Sequence, residues 1–69
     1  MSTLAHTLSP RELEVLRLLP DGVTNKEAAA ILGIKDRAVD FHAYNAYKKL
    51  GVGSRVAAIK KAEKLGALA

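Results

Sequence analysis

Helix punctuation constrains this chain more than any other feature of it. Ser9-Pro10-Arg11-Glu12 puts a hydroxyl at a cap position, a proline pre-set for the first helical residue, and a glutamate three places after the cap. Thr24-Asn25-Lys26-Glu27 repeats the hydroxyl-to-glutamate spacing. In both, the hydroxyl is positioned to accept from the N–H three residues on, and the carboxylate to reach back to the cap's own N–H. Leu8 and Leu13 stand where a hydrophobic staple fixes the chain's entry into the first helix. Gly22, Gly33, Gly51 and Gly66 supply stops, Gly33 directly after the apolar run Ala28 to Leu32. A chain of 69 residues cut this often is expected to fold as a set of short helices.

The first helix carries Leu13, Val15, Leu16, Leu18 and Leu19, apolar over well over half its circumference, and should lie across the back of the bundle before Pro20-Asp21-Gly22 ends it. The second is short, and its Ala28, Ala29, Ala30, Ile31 and Leu32 are mostly small enough to let a neighbouring helix come close. Gly33-Ile34-Lys35 joins it to a third helix over 36–50, for which Asp36 offers a cap and a negative charge suited to the positive helix end. At about 100° per residue, Val39, Ala43, Ala46 and Leu50 make one stripe of that helix, and Arg37, Phe41, Tyr44 and Lys48 fall on the other side. The first stripe should be buried. The second has rings where a solvent face would show only charge, so it suits a partner. His42 and Tyr47, about 60° and about 80° from Val39, read as a partly buried, hydrogen-bonded histidine and a boundary packing residue.

After Gly51-Val52-Gly53, Ser54 caps a fourth helix running to about Leu65. Val56, Ile59, Ala62 and Leu65 mark its apolar side, while Lys60, Lys61 and Lys64 face water. Two helices joined by a three-residue turn containing glycine, the second with an unusual exposed face, make a helix-turn-helix pattern. The expected fold class is an all-α four-helix bundle with that motif in its second and third helices. Residues 1–7 show no period and are expected to form a flexible N-terminal arm ahead of a domain over 8–69.

Composition limits the functions open to such a bundle. With no cysteine and only His6 and His42, neither a disulfide framework nor a metal site is expected. No nucleophile, base and orienting group can be assembled in a pocket from so short a chain, so an enzyme is not expected. No run is long enough for a membrane span, and the start lacks a signal peptide's basic and apolar regions, which makes a cytoplasmic chain with no membrane partner the expectation. The net charge of +4 and pI near 9.7 favour a polyanion, and most of the Lys and Arg residues fall from Lys35 onward.

The combination L-S-P-R-E-x-E-V-L, T-N-K-E-x-A, L-G-I, V-x-F-H-x-x-N and K-K-L-G-V-x-S-R, in that order, resembles the DNA-binding domain of LuxR-type transcriptional regulators, also called GerE-like or NarL/FixJ-type. The resemblance covers roughly Leu8 to Leu68, and the F-H-x-x-N form is most similar to the quorum-sensing branch. It implies a recognition helix at 36–50 in the major groove of double-stranded DNA, with Arg37, Asp40, Phe41 and Tyr44 towards base edges. It implies phosphate contacts from Thr24, Asn25 and Lys26 at the start of the second helix, and from Lys48, Lys49, Ser54 and Arg55 on the far side. Asn45 fits either a phosphate contact or local polar contacts. The fourth helix would build a homodimer through Val56, Ile59, Lys60 and Glu63. No cofactor is implied.

The reading face also departs from the family pattern. Asp40 and Tyr44 stand where many relatives place basic or amide side chains, and Lys35 replaces the usual small hydroxyl cap of the third helix. Asp40 can accept from cytosine N4 or orient Arg37 one turn earlier. Two function classes therefore fit: sequence-specific duplex DNA binding in transcription regulation, or a small non-enzymatic partner that forms a heterodimer with another LuxR-type regulator and modulates it.

Overall fold

The computed structural model describes residues 7–66 and is all-α among them. Helix α1 spans Pro10–Leu18 and is followed by a 3-10 turn, Leu19–Asp21. Helices α2, Asn25–Leu32, α3, Asp36–Leu50, and α4, Arg55–Lys64, complete the four. Both capping boxes form: Ser9 Oγ accepts from the Glu12 amide at 3.1 Å while Glu12 Oε1 accepts from the Ser9 amide at 2.9 Å, and Thr24 and Glu27 repeat both distances. The bonds from Thr24 hold the Glu27 carboxyl below the ordinary carboxylate range. At the other end of α2, Gly33 takes φ +68°, and the Ile34 amide reaches back to the Ala29 carbonyl at 3.0 Å, closing a Schellman turn.

The start of α3 corrects the expectation that Asp36 caps it. Lys35 is the cap, with extended backbone angles, and its carbonyl accepts from the Ala38 and Val39 amides. Asp36 is already the first helical residue. The Lys35 side chain makes no capping bond, so the helix begins without the side-chain acceptor that α1, α2 and α4 have.

α3 is the centre of the packing, touching α1, α2 and α4. Its buried stripe is shared between two clusters. Val39 and Ala43 join Val15, Ala28 and Ala29, binding α2 to α3 with α1 behind them. Ala46 and Leu50 join Leu8, Leu16, Leu19 and Ala58, binding the C-terminal half of α3 to α1 and α4. Tyr47, half-buried, packs against both, and burial pushes its phenol pKa up despite the nearby Arg55 charge. Leu8 and Leu13 lie in the same cluster, as the staple requires.

The inner side of α4 differs from the expected one. Ala58 and Ala62 are its buried residues, Ile59 and Leu65 are half-buried, and Val56 is 62% exposed. Alanines therefore form the buried side of α4, and its larger apolar residues lie toward the rim. Ser54 caps it by accepting from the Ala57 amide at 3.1 Å. The arm expected at 1–7 lies outside the described residues except for Thr7, whose carbonyl accepts from Lys49 Nζ at 2.9 Å. His6 falls outside them as well. No helix among the described residues is long and apolar enough to cross a membrane.

Candidate nucleic-acid interface

Burying Val39, Ala43, Ala46 and Leu50 turns the opposite side of α3 outward. Arg37, Asp40, Phe41, Tyr44 and Lys48 are all exposed, Phe41 and Tyr44 each by 62%. An apolar ring left that open is a cost unless something covers it. Lys48 Nζ lies 5.4 Å from the centre of the Tyr44 ring, a cation–π contact that holds the two side chains together on the C-terminal part of the face. The Phe41 ring meets the edge of His42 with centroids 5.6 Å apart. That contact is what occupies His42. It is half-buried, but no hydrogen bond to it forms among the described residues, unlike the bonded histidine expected.

The start of α2 adjoins this face. Asn25 Nδ2 donates to Asp40 Oδ1, tying the first residue of α2 to the middle of α3. Asp40 is thus partnered by an amide from another helix, and the pairing with Arg37 considered for it does not form. The Thr24 and Glu27 amides are taken up in the capping box, while Asn25 and Lys26 amides lie at the positions where a helix has no internal acceptor. With Lys26 exposed beside them, this end of α2 suits an anion. Asn45 is half-buried on α3.

Two cations expected at phosphate are engaged within the fold. Lys49 Nζ donates to Glu12 Oε1 at 2.8 Å in addition to the Thr7 carbonyl. Glu12 is only 5% exposed, and burial alone would raise its carboxyl pKa. The bonds from Lys49 and Ser9, with the ammonium's attraction, outweigh burial and leave it below the ordinary value. Arg55 donates from Nη2 to the Leu19 and Val23 carbonyls, at 3.0 and 2.6 Å, clasping the two sides of the 3-10 turn to the start of α4. Both side chains hold parts of the chain more than 30 positions apart. No spacing in the sequence announces such links, although a buried glutamate always needs a partner. Ser54 accepts as the α4 cap with its hydroxyl proton still available.

The model for bacterial regulatory proteins of the luxR family matches residues 6–62, taking in all four caps and the whole exposed face of α3. The chain belongs to the luxR family. As a luxR-family chain it is 50% identical over 58 residues to the transcriptional activator protein CarR of Pectobacterium carotovorum subsp. carotovorum, covering 84% of this chain. It is 44% identical over 59 residues, 86% of its length, to the HTH-type quorum sensing-dependent transcriptional regulator RpaR of Rhodopseudomonas palustris. The nitrate/nitrite response regulator protein NarP of Escherichia coli matches at 47% over 51 residues, 74% of this chain. The likeness therefore runs across the family and is not confined to the quorum-sensing branch. This chain spans 24% of the length of each of these three relatives. No solved structure matches it.

On α4, Val56, Lys60 and Glu63 are exposed along one side and Ile59 is half-buried beside them. This is the stripe on which the dimer expectation was placed.

Proposed function

We propose that this chain binds double-stranded DNA as the DNA-reading part of a transcription regulator, with α3 in the major groove. The observation that carries the reading is the outward side of α3. Arg37, Phe41, Tyr44 and Lys48 lie outside the core, yet the helix bearing them is held against α1, α2 and α4 by its buried stripe. A rigid helix with cations and rings on its free side has the form that major-groove readers use.

In this reading Arg37, Asp40, Phe41 and Tyr44 face base edges. A phosphate sits against the free amides of Asn25 and Lys26, with the Thr24 hydroxyl and the Lys26 ammonium beside it. Lys48, Asn45 and the Ser54 hydroxyl meet the backbone further along. Lys49 and Arg55 serve the fold and are assigned no phosphate. Two copies pair through Val56, Ile59, Lys60 and Glu63 of α4 to read a two-fold site. The chain works without catalysis, metal or cofactor.

A salt titration on random and selected duplexes tests this. Affinity should fall steeply with salt, with a log–log slope of roughly −0.9 per phosphate contacted. Lys48→Ala should weaken all duplexes alike, and Tyr44→Ala should change sequence preference. Absence of duplex binding at low salt, together with tight pairing to another luxR-family regulator, would replace this reading with that of a regulatory partner. Equal loss from both substitutions on every duplex would remove the assigned roles.

A further inference from the structure

An aspartate on a surface that meets a polyanion weakens binding unless its carboxylate finds a donor. Asp40 has half of that requirement met: Oδ1 accepts from Asn25 Nδ2. Because a carboxylate only accepts, the contact also determines which end of the Asn25 amide faces α3. The ion pairs among the described residues are Arg11–Glu14 and Lys49–Glu12, so neither Arg37 nor Lys26 neutralises Asp40. Oδ2 is left for a partner outside the chain.

Few groups in the major groove can serve it. Guanine shows two acceptors there, and thymine an acceptor and a methyl group. Only cytosine N4 and adenine N6 donate. Adenine carries the N7 acceptor directly beside N6, which opposes a carboxylate's approach, whereas cytosine has no acceptor on that edge. An exposed aspartate alone would also have to give up side-chain freedom on binding. Asn25 removes much of that loss beforehand by holding the carboxylate from the start of α2.

We propose that Asn25 and Asp40 form a cytosine-reading pair, in which Asp40 accepts from cytosine N4 and Asn25 is the positioning residue. The proposal rests on the duplex-binding reading and adds a base and a two-helix device to it. It also couples phosphate anchoring to base reading, since the residue whose amide faces phosphate is the one whose side chain orients Asp40.

The test is binding-site selection from a randomised duplex pool, using the full 69-residue chain and its D40A, D40N and N25A variants. Both residues lie off the core, and thermal unfolding followed by circular dichroism should show the variants melting with the wild type. The wild type should select cytosine at one position per half-site by about tenfold over other bases. D40A should lose that preference while keeping the others. D40N should move it to adenine, whose N6 and N7 match an amide's donor and acceptor. N25A should weaken it about threefold without changing the salt slope. A wild type that selects a site in which no base depends on residue 40 overturns the pair and leaves the duplex reading standing. A wild type that binds no duplex at low salt overturns both.

Discussion

Glu12 shows how one side chain can close two structures at once. Its carboxylate completes the α1 capping box and, through the same oxygen, receives Lys49 from α3. Glu12→Gln separates these duties, because glutamine still completes a capping box but, being neutral, gives Lys49 a hydrogen-bond acceptor without the charge attraction. The expected loss near neutral pH is about 1 kcal/mol, less than for a fully buried pair because Lys49 is 38% exposed. Since the folded carboxyl lies below its ordinary value of 4.5, its contribution is present above that value and is lost as the pH falls through the lower folded one. Urea unfolding across that window should show wild-type stability falling faster than that of E12Q. Parallel pH profiles would mean that the Lys49 contact carries no net stabilisation.

At the scale of elements, the helix-turn-helix depends on small side chains. Ala28 and Ala29 are 3% and 2% exposed against Val39 and Ala43, so α2 and α3 approach with little between them. Ala29→Leu must push α2 outward or strain it, costing about 1–3 kcal/mol. The displacement would also break the Asn25–Asp40 contact and shift the free amides of α2 relative to α3. Affinity for a selected duplex should therefore fall more than stability alone explains when measured well below the melting temperature. Unchanged duplex affinity in a folded A29L variant would show that the α2–α3 spacing is not critical. The turn between them adds a second sensitive point. A Cβ at Gly33 would meet no atom within 4 Å, but φ +68° is strained for any other residue, so Gly33→Ala should cost about 1–2 kcal/mol in the same unfolding measurement.

For the whole molecule, a core of mostly alanine, leucine and valine side chains in a chain this short leaves a small margin. Stability of roughly 3–10 kcal/mol is expected from size alone. Pairing of two copies through α4 would add to that margin and make the melting temperature depend on concentration. Val56, exposed and outside the core, is the residue to change: Val56→Glu should leave the fold intact, abolish self-association in sedimentation equilibrium, and shorten protection of a two-fold duplex to one half-site. A concentration-independent wild-type melt with full two-site protection in V56E would place the dimer contact elsewhere.

The extent of each helix was legible in the residues because caps, stops and staples are local chemistry: Ser9 with Glu12, Thr24 with Glu27, Ser54, Gly33 and Gly51 act within a few positions. So was the split of α3 into a buried stripe and an exposed one, since helical periodicity needs no knowledge of what lies beneath. The cap of α3 was read differently by side chain and by family pattern: Asp36 has the better capping side chain, but the backbone turns at Lys35, where the family places its cap. Tertiary structure alone decided which cations remained free. Lys48 meets the Tyr44 ring one turn back on its own helix, a local contact, whereas its neighbour Lys49 is taken up by Glu12 from α1 only because the two helices pack together. It likewise decided that Arg55 clasps carbonyls, that Val56 and not Ala58 faces outward, and that Asn25 holds Asp40. Each of these depends on which surfaces meet after the helices pack, and the range of a local sequence signal ends before that distance.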